Sequence, residues 1–521
     1  MLKKVRNAVK NILLIIIIFI SSLLIVGAGY YSSNYSSESF DQVLYYALNG
    51  VQGTSKDVVK DIILDNIFIL LIVFIIISWL VLYNSKNKIV FDLKIRTKSL
   101  KKQLFPIKHK FIFSLVILLM SVIIAIKGFK IDEFIKNMTQ ETEMYNKYYV
   151  QGDSSYIEFP EKKRNLIFIS LECVETSVCS KENGGSWDYS IIPELEQLAL
   201  DNINFSNTEK LGGAYQIAET HYTAAALVAQ TAGIPLKSTS LTIDANSGRY
   251  NGTGEYLKNA YALGDVLAEQ GYNLEVMMGS NSSFGARKQY FKTNGNYEVF
   301  DLYTALDRGL MTEDEIVWWG FEDDKLFEWS KEEILNLAKE DKPFNYILQT
   351  ADTHFTDGYL SKNVESKYQT QYENVYGYSS KSVYEFVEWI KKQDFYENTT
   401  IVIIGDHLNK QESFYKNHVP DDYDRTIYNV IINSAVEAKN SKNRIFTSMD
   451  FYPTMLASIG IKIKGDRLGL GTNLFSERKT LAEEVGIEYL DAEAKAKKKS
   501  TFYNTYLLGN DYFESDEAKK K

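Results

Sequence analysis

The chain has 521 residues, 45% of them hydrophobic, and this is ample material for a large core spread over about two to four domains. The first 130 residues carry 17 Lys and Arg against 6 Asp and Glu, which leaves 41 basic and 61 acidic side chains for the rest. Such a strongly acidic remainder argues against a nucleic-acid partner.

Three uncharged apolar segments occur near the amino terminus, at residues 12–29, 67–83 and 111–126. Each is long enough, or nearly so, to cross a hydrocarbon core of about 30 Å as a helix. The first could be a signal peptide, but its apolar run exceeds the usual length and no clean cleavage site follows it. We therefore predict three transmembrane helices within a membrane anchor at 1–130.

Basic residues predict the orientation of this anchor, since cytoplasmic loops hold the excess of Lys and Arg. The amino terminus and the connection at 84–110 are basic, whereas the first connection is mainly acidic. The sequence thus predicts a multi-pass cell-membrane protein with a cytoplasmic amino terminus. Three crossings place a linker at 131–160, a catalytic domain at 161–480 and a tail at 481–521 outside the cell.

Short, nearly continuous apolar runs begin at residue 165 and are typical of strands buried on both faces. Helical patterns lie between them, at 192–200, 260–270 and 383–392. This alternation predicts an α/β fold with a mostly parallel sheet between two layers of helices, in which ligands bind at the carboxyl ends of the strands. The predicted strands are 165–172, 273–278, 344–349, 400–404 and 428–433.

Thr223 stands at the start of a predicted helix at 224–232, which ends at Gly233 and Pro235. Its hydroxyl has two interpretations. A threonine at this position is commonly a helix cap. Alternatively, the hydroxyl faces a phosphoryl group held by the N–H groups and the positive dipole end of the helix.

Carboxylate and imidazole side chains follow three of the predicted strands. Glu172 ends the first, Asp406 and His407 follow the strand at 400–404, and His354 comes shortly after the strand at 344–349. Singly, such residues are usually caps, turn residues or solvated groups. Together at one sheet edge they predict a metal site with oxygen and nitrogen ligands.

The chain has two cysteines, Cys173 and Cys179, both in the part predicted to lie outside the cell. They are able to form one short-range disulfide in an oxidising compartment, but two cysteines do not define a framework. The sequence leaves the pairing open.

The motifs from 160 to 510 resemble those of the lipoteichoic-acid synthase and phosphoglycerol transferase family, within the alkaline phosphatase and sulfatase superfamily. The stretch around Thr223 and the DTH motif with its following Asp357 and Gly358 are most similar to the branch that modifies glycans. Met278 and Gly285 stand where the polymer-making branch has His and Trp. The motifs are NLIFISLE at 165–172, YTAAA at 222–226, QTAGIPL at 230–236, SFGAR at 283–287, WGFEDDKLF at 319–327, DTH at 352–354, GDH at 405–407 and SMDFYPT at 448–454.

The resemblance implies an alkaline-phosphatase-like fold with Thr223 as nucleophile. It also implies one divalent metal, expected to be Mn²⁺ with Mg²⁺ or Zn²⁺ as alternatives, and a head-group site at Arg287 and His354. The implied reaction moves glycerol phosphate from phosphatidylglycerol to an envelope glycan or glycolipid through a phosphoglyceryl-threonine. The implied metal ligands are Glu172, Thr223, Asp406 and His407.

Three other functions are alternatives. A sulfatase needs a Cys or Ser in a Cys/Ser-x-Pro-x-Arg context, which neither cysteine has. A phosphoethanolamine transferase shares the threonine and metal chemistry, and a non-catalytic receptor for lipid head groups or glycans belongs to a different class. His418, Asp424 and Arg425 either line the acceptor side or have a structural role.

Overall fold

The structure is a computed structural model that describes residues 2–34, 40, 56–83, 89–95, 98–104, 109–140, 142–237, 254–496 and 502–508. These residues fall into two compact units, the first with the described residues up to Lys136 and the second with those from Asn137 onward. Most of the connection predicted between the first two apolar segments lies outside the described residues, as do residues 497–501 and 509–521 of the predicted tail.

The first unit is built from long apolar helices. Helix α1 packs against both α2 and α3, and its core includes Leu14, Ile18, Ile77 and Val81. The buried hydroxyls of two serines in α1 donate to carbonyls four residues earlier, so these polar groups are satisfied inside an apolar helix. The elements of this unit are α1 (Leu2–Asn34), α2 (Lys56–Ser78), β1 (Ile89–Ile95), β2 (Lys98–Leu104) and α3 (Lys110–Gly128).

Two of the three predicted membrane segments have the length and composition of a spanning helix. They are Asn7–Ser33 and Lys110–Gly128, and their exposed faces carry large apolar side chains such as Ile112 and Leu119. The second predicted segment coincides with a shorter apolar stretch, Asn66–Leu82. It falls short because charged residues occupy the first turns of α2, so three spans are not confirmed.

The second unit contains a six-stranded sheet with the strand order β6-β5-β7-β4-β8-β9. All neighbours are parallel except β8 and β9, which are antiparallel. The predicted mostly parallel sheet is therefore confirmed, with one antiparallel edge strand. The strands are β3 (Ile157–Glu158), β4 (Asn165–Leu171), β5 (Asn273–Met278), β6 (Glu298–Phe300), β7 (Phe344–Gln349), β8 (Thr399–Gly405), β9 (Asn429–Ile432), β10 (Lys462–Ile463), β11 (Arg467–Leu468) and β12 (Gly471–Thr472).

Apolar residues on both faces fix the central strands in the interior. Every residue of β4, β7 and β8 is buried. Along β4, Leu166 and Phe168 belong to one hydrophobic cluster, whereas Ile167, Ile169 and Leu171 belong to the other. Since successive side chains of a strand point to opposite faces, the sheet separates two apolar layers.

Helices cover both faces of this sheet. The cluster around Leu166 takes in the helices Thr223–Ala232, Leu263–Ala268 and Phe451–Ser458, and the cluster around Ile167 takes in the helices Pro193–Asp201, Asp323–Ala338 and Gln371–Lys391. Helix α4 (Ile131–Thr139) begins in the first unit and ends in the second. The helices that follow it are α5 (Met144–Tyr148), α6 (Pro193–Asp201), α7 (Thr223–Ala232), α8 (Leu263–Ala268), α9 (Arg287–Thr293), α10 (Leu302–Asp307), α11 (Asp323–Ala338), α12 (Gln371–Lys391), α13 (Glu412–Tyr415), α14 (Phe451–Ser458), α15 (Leu481–Val485) and α16 (Ile487–Lys495).

Several element boundaries differ from the predictions. Helix α8 spans Leu263–Ala268 rather than the whole predicted range, while α12 begins twelve residues before the predicted start at 383. The extra turns of α12 contain Gly377, Ser379 and Ser380, which disfavour helix locally but are accommodated by tertiary packing. Strand β6 was not predicted, because three residues give too short a pattern.

Candidate active site

The site is formed where β4 and β8 end side by side. The two strands pair in parallel, with Leu171 opposite Gly405, so the residues that follow them emerge at the same edge. The backbone N–H of Asp406 donates to the carbonyl of Leu171 at 2.9 Å. Gly405 is required there, since a Cβ would lie 1.9 Å from the Val174 carbonyl oxygen.

Glu172, Asp406 and His407 meet at this edge and are almost fully buried. Nε2 of His407 lies 3.4 Å from Oε1 of Glu172 and 3.5 Å from Oδ2 of Asp406. Ligand atoms bound tetrahedrally to one small divalent ion at 2.0–2.2 Å are about 3.3–3.6 Å apart. The three side chains thus have the spacing of a metal site.

The orientation of Asp406 supports this interpretation. Its Oδ1 accepts the backbone N–H groups of Cys173 at 2.8 Å and of His407 at 2.6 Å. Its Oδ2 is buried and accepts no hydrogen bond. A buried carboxylate oxygen without a donor is costly, and a cation at this position would compensate it.

His407 presents a defined nitrogen to the carboxylates. Its Nδ1 is 2.9 Å from the carbonyl oxygen of Leu408 and therefore carries the proton that it donates to this acceptor. This tautomer leaves the lone pair of Nε2 facing Glu172 and Asp406, as metal-binding histidines do.

The electrostatics of the cluster reflect two like charges in a buried site. Burial, followed by the charge of Glu172, raises the pKa of Asp406 to about 7. Burial also acts to raise the pKa of Glu172, but His354 and His407 outweigh it and hold that pKa well below its usual range. Burial lowers the pKa of His407, but the carboxylates of Asp406 and Glu172 raise it by more, so this pKa lies above its usual value.

Thr223 joins this cluster from the helix layer. It is the first residue of α7, Tyr222 precedes the helix, and the hydroxyl of Thr223 donates to Oε2 of Glu172 at 3.3 Å. The helix start has no side-chain cap, so the interpretation of Thr223 as a capping residue is wrong. Gln230, two turns along α7, donates to the carbonyl of Gly405 at 2.9 Å and fixes the helix against the end of β8.

Thr223 also lies beside the backbone N–H groups that precede the first hydrogen bond of α7. The first helical bond of α7 runs from the N–H of Ala226 to the carbonyl of Tyr222. The N–H groups of Thr223, Ala224 and Ala225 precede this ladder, and the positive end of the helix dipole adds to them. An anion next to the threonine hydroxyl would be stabilised by these groups.

His354 follows β7 and lies in an aromatic environment next to the cluster. Its ring is 4.7 Å from that of Trp319 and 4.4 Å from that of Phe355, and Nδ1 faces the Phe355 carbonyl. Burial lowers the pKa of His354, while the charge of Glu172 opposes this shift. His354 therefore lies within the field of the cluster, where burial disfavours its protonated form and the Glu172 carboxylate favours it.

Arg287 is buried, and its guanidinium is held by four hydrogen bonds. They go to Oε1 of Gln349 at 3.1 Å, Oγ of Ser280 at 2.9 Å, and the carbonyls of Asn281 at 2.9 Å and Phe284 at 3.0 Å. Gln349 ends β7, the neighbour of β4. The structure thus brings Arg287 to the same sheet edge, but these four bonds do not go to the cluster itself.

Two residues of the site were missed in the sequence. Cys173 lies with Sγ 3.1 Å from Oε1 of Glu172, and it completes a group with Glu172, Asp406 and His407 whose ligand atoms are all within 4.8 Å of one another. Lys410 is buried three residues after His407, with Nζ 5.8 Å from the centre of the Phe355 ring. The sequence held one signal for each residue: Cys173 directly follows Glu172, and Lys410 lies close to the GDH motif at 405–407.

Both cysteines are free and buried, so the possible disulfide is absent. The residues left open as acceptor-side candidates have structural partners. Arg425 forms a salt bridge with the buried Glu175 at 2.8 Å, and His418 stacks on Trp187 with 4.4 Å between ring centres. Asp424 accepts the hydroxyl of Tyr215 at 2.9 Å.

Comparison with known proteins supports the fold and the family. The chain is 27% identical over 320 residues to phosphoglycerol transferase I of Escherichia fergusonii, and similarly to that of Citrobacter koseri. These matches cover 59% of this chain but 39% of each relative, so the chain spans about two fifths of their length.

A solved structure, that of the lipoteichoic acid synthase LtaP from Listeria monocytogenes, superimposes with a TM-score of 0.51 at 14% identity. The superposition covers 73% of this chain and 98% of that one, and it confirms the predicted alkaline-phosphatase-like α/β fold. The model of the sulfatase family matches residues 164–461. Since this match covers more than half of the chain, the protein belongs to the sulfatase family, within the alkaline phosphatase superfamily.

Proposed function

We propose that the chain is a membrane-anchored, metal-dependent phosphoglycerol transferase. It moves glycerol phosphate from phosphatidylglycerol to a cell-envelope glycan or glycolipid through a phosphoglyceryl-threonine intermediate. The observation that carries the proposal is the hydroxyl of Thr223, which lies at a helix start and donates to Glu172 within a buried cluster of metal-type ligands. The names of the relatives support glycerol phosphate as the transferred group.

Glu172, Thr223, Asp406 and His407 would hold one divalent metal, for which Mn²⁺, Mg²⁺ and Zn²⁺ are the choices. The donor set of carboxylates, hydroxyl and imidazole fits such an ion, and so does the buried Oδ2 of Asp406. When bound, the ion lowers the pKa of a coordinated hydroxyl and neutralises phosphoryl charge.

The first half of the reaction forms a bond between Oγ1 of Thr223 and the phosphorus of phosphatidylglycerol. The bond from phosphorus to the diacylglycerol oxygen breaks, and this oxygen takes up a proton. The proton that Oγ1 of Thr223 loses passes to water, and Oε2 of Glu172 orients the hydroxyl through the hydrogen bond that it accepts. His354 would hydrogen-bond the glycerol or the leaving oxygen.

In the second half, a hydroxyl of the acceptor sugar attacks the same phosphorus and Oγ1 of Thr223 leaves with a proton. The N–H groups at the start of α7 stabilise the phosphoryl oxygens in both halves. The buried ammonium of Lys410 adds positive charge on the side of Phe355 and His354. Arg287 supports this edge through Gln349.

The predicted topology gives this chemistry its location. The anchor at 1–130, with a cytoplasmic amino terminus, and the linker at 131–160 keep the catalytic domain at 161–480 and the tail at 481–521 at the outer leaflet, where the head group of the lipid donor is accessible. Confining enzyme and donor to one plane raises their effective concentration without added affinity.

The test uses the purified full-length chain, Mn²⁺ and a panel of envelope glycans. Phosphatidylglycerol with a labelled head group is added, and its turnover is measured. We expect release of diacylglycerol, transfer of label to a glycan, and a phosphoglyceryl adduct on the peptide that contains Thr223. An adduct of phosphoethanolamine mass from phosphatidylethanolamine would assign the other transferase activity. Absence of any lipid turnover would leave the receptor function and refute the enzyme.

A further inference from the structure

Cys173 occupies an unusual place beside the proposed metal site. It directly follows Glu172, its side chain is fully buried, and Sγ is 3.1 Å from Oε1 of Glu172 and 4.0 Å from Nδ1 of His407. The same Oε1 is 3.4 Å from Nε2 of His407. The sulfur of Cys173 and the imidazole of His407 therefore both lie next to the same oxygen of the Glu172 carboxylate.

The backbone of Cys173 is held in a conformation that such a residue rarely adopts. Its φ is +57°, in the left-handed region, where non-glycine residues other than Asn and Asp are uncommon. Its N–H donates to Oδ1 of Asp406 at 2.8 Å, and its carbonyl accepts the hydroxyl of Tyr376 at 2.7 Å. These two bonds fix the direction of the side chain, so the sulfur has a defined position in the cluster.

We propose that Sγ of Cys173 is a ligand of the divalent metal at this site and that this sulfur gives the site a preference for Zn²⁺ over Mn²⁺ and Mg²⁺. The inference rests on the metal site of the proposed function and extends it, because the ligand set implied by the resemblance contains only oxygen and nitrogen. Thiolate ligands favour Zn²⁺, whereas sites with only carboxylate and hydroxyl oxygens suit Mg²⁺ and Mn²⁺.

A second observation, independent of the cysteine, indicates that a cation belongs here. Oδ2 of Asp406 is fully buried and accepts no hydrogen bond, and it lies 3.5 Å from Nε2 of His407. For Zn–S near 2.3 Å and Zn–O or Zn–N near 2.0–2.2 Å, sulfur and a neighbouring ligand are about 3.5 Å apart. Sγ lies 3.1 Å from Oε1 of Glu172, somewhat closer than this value, and the ligand atoms of Cys173, Glu172, Asp406 and His407 are all within 4.8 Å of one another.

Coordination changes no oxidation state. The Sγ–metal bond forms, the S–H bond breaks, and the proton passes to solvent, so binding of Zn²⁺ releases one more proton than binding at a site without sulfur. The alternative role for Cys173 is that of a thiol that donates a hydrogen bond to Glu172 and does not touch the metal.

The experiment is X-ray absorption spectroscopy of the full-length chain, stripped with a chelator and reloaded with one equivalent of Zn²⁺. We expect one sulfur at about 2.3 Å together with oxygen and nitrogen at about 2.0–2.2 Å in the wild type. The matched control is Cys179→Ser, since Cys179 is the other buried free cysteine and lies outside the ligand group. This control should keep the sulfur, and Cys173→Ser should lose it.

Two further readouts do not depend on catalysis. The Co²⁺-loaded wild type and Cys179→Ser should show thiolate-to-cobalt charge-transfer absorption in the near ultraviolet, which Cys173→Ser should lack. In competition titrations, Cys173→Ser should reduce the preference for Zn²⁺ over Mn²⁺ by about tenfold or more.

The outcomes separate this inference from the function it rests on. A bound ion with only oxygen and nitrogen neighbours in the wild type overturns the sulfur ligand and leaves the metal site intact. Failure of the wild type to bind any divalent ion overturns both. The wild-type spectra decide the question even where Cys173→Ser does not fold.

Discussion

The side-chain hydroxyl of Thr223 lies 3.3 Å from Oε2 of Glu172, although 51 positions separate the two residues in the chain. One stands at the first turn of α7 and the other at the end of β4. Their contact links the helix layer to the sheet edge, and it places a hydroxyl beside two buried carboxylates and an imidazole. This arrangement has direct consequences for substitution of the threonine.

Thr223→Val should reduce transfer of glycerol phosphate by about 10³-fold or more, because valine keeps the shape of threonine but lacks the nucleophilic oxygen. Thr223→Ser keeps the oxygen and should retain measurable transfer with the same covalent adduct. Neither change should unfold the protein, since the threonine does not cap α7. Rates with labelled phosphatidylglycerol and circular dichroism of both variants check this. Normal turnover by Thr223→Val would disprove the nucleophile.

Removal of divalent metal should make stability fall as the pH rises. The pKa of Asp406 is about 7 in the folded protein against an ordinary value of 3.8, so its contribution is complete below 3.8 and is lost by about 7. The raised pKa of His407 acts in the same direction, since the folded state again binds more protons. The chelated protein should therefore melt at a lower temperature at pH 8 than at pH 5.

Added metal should oppose this loss, because the ion binds the deprotonated carboxylates of the folded state. At about 100 times its dissociation constant it should contribute about 2.7 kcal/mol. Thermal melts at pH 5 and pH 8, with chelator and with Mn²⁺ or Zn²⁺, measure the effect. Asp406→Asn should make the fall of the chelated profile smaller and remove the gain from metal. Identical chelated melts of the wild type at the two pH values would contradict the assignment.

Much of the fold could be predicted because its signals are local. The runs that became β4, β7 and β8 are apolar throughout, and parallel strands place their carboxyl ends at one edge. From the sequence alone, this rule predicted that Glu172, Asp406 and His407 lie close together. The antiparallel direction of β9 was not accessible in this way, since strand direction depends on the path of the chain between strands.

The remaining features of the site depend on side-chain directions that a sequence does not specify. Cys173 could be read as half of a disulfide, yet its sulfur points to Glu172 and Cys179 is buried and free. The sequence allows Arg425 to be an acceptor-binding residue, whereas in the structure it forms a salt bridge with Glu175. Residues of the same chemical type serve a site or a core according to their partners, and tertiary contacts determine the partners.

His354→Gln should lower transfer by about 10²-fold while leaving the affinity for metal unchanged. His354 is half-buried next to the cluster, and its ring is held by Trp319 and Phe355 rather than by a carboxylate. Steady-state kinetics and metal titrations on the same sample separate the two effects. His418→Gln is the matched control, since His418 stacks on Trp187 and should not affect transfer. A matching loss of metal affinity in His354→Gln would instead make His354 a ligand.

Arg425→Met should destabilise the fold by about 3–5 kcal/mol, because it leaves the carboxylate of Glu175 buried without its counter-ion. Arg425 donates to both oxygens of Glu175 and to the carbonyl of Asn409. Urea denaturation measures the loss, and adding Glu175→Gln to the variant should recover part of it. Asp424→Asn, on the neighbouring residue, should change stability by less than about 0.5 kcal/mol. A small effect of Arg425→Met would show that the ion pair is dispensable.

Glu275 gives a pH dependence that is separate from the metal site. Burial, followed by the charge of Glu333, raises its pKa from 4.5 to about 8. The folded state therefore holds a proton that the unfolded state loses, and stability should fall by on the order of 3 kcal/mol as the pH rises from 4.5 through 8. Glu275→Gln is neutral at every pH and should remove this part of the loss.

The exposed Glu298 provides the control, since it is the register partner of Glu275 on β6. Its charge adds only a minor part to the raised pKa of Glu275, so Glu298→Gln should keep most of the pH-dependent loss. Urea denaturation of the three proteins at pH 5 and pH 9, all with chelator present, isolates the contribution of Glu275 from that of bound metal. Equal losses in the wild type and in Glu275→Gln would mean that water reaches the Glu275 carboxylate and that β5 does not hold it as a neutral acid.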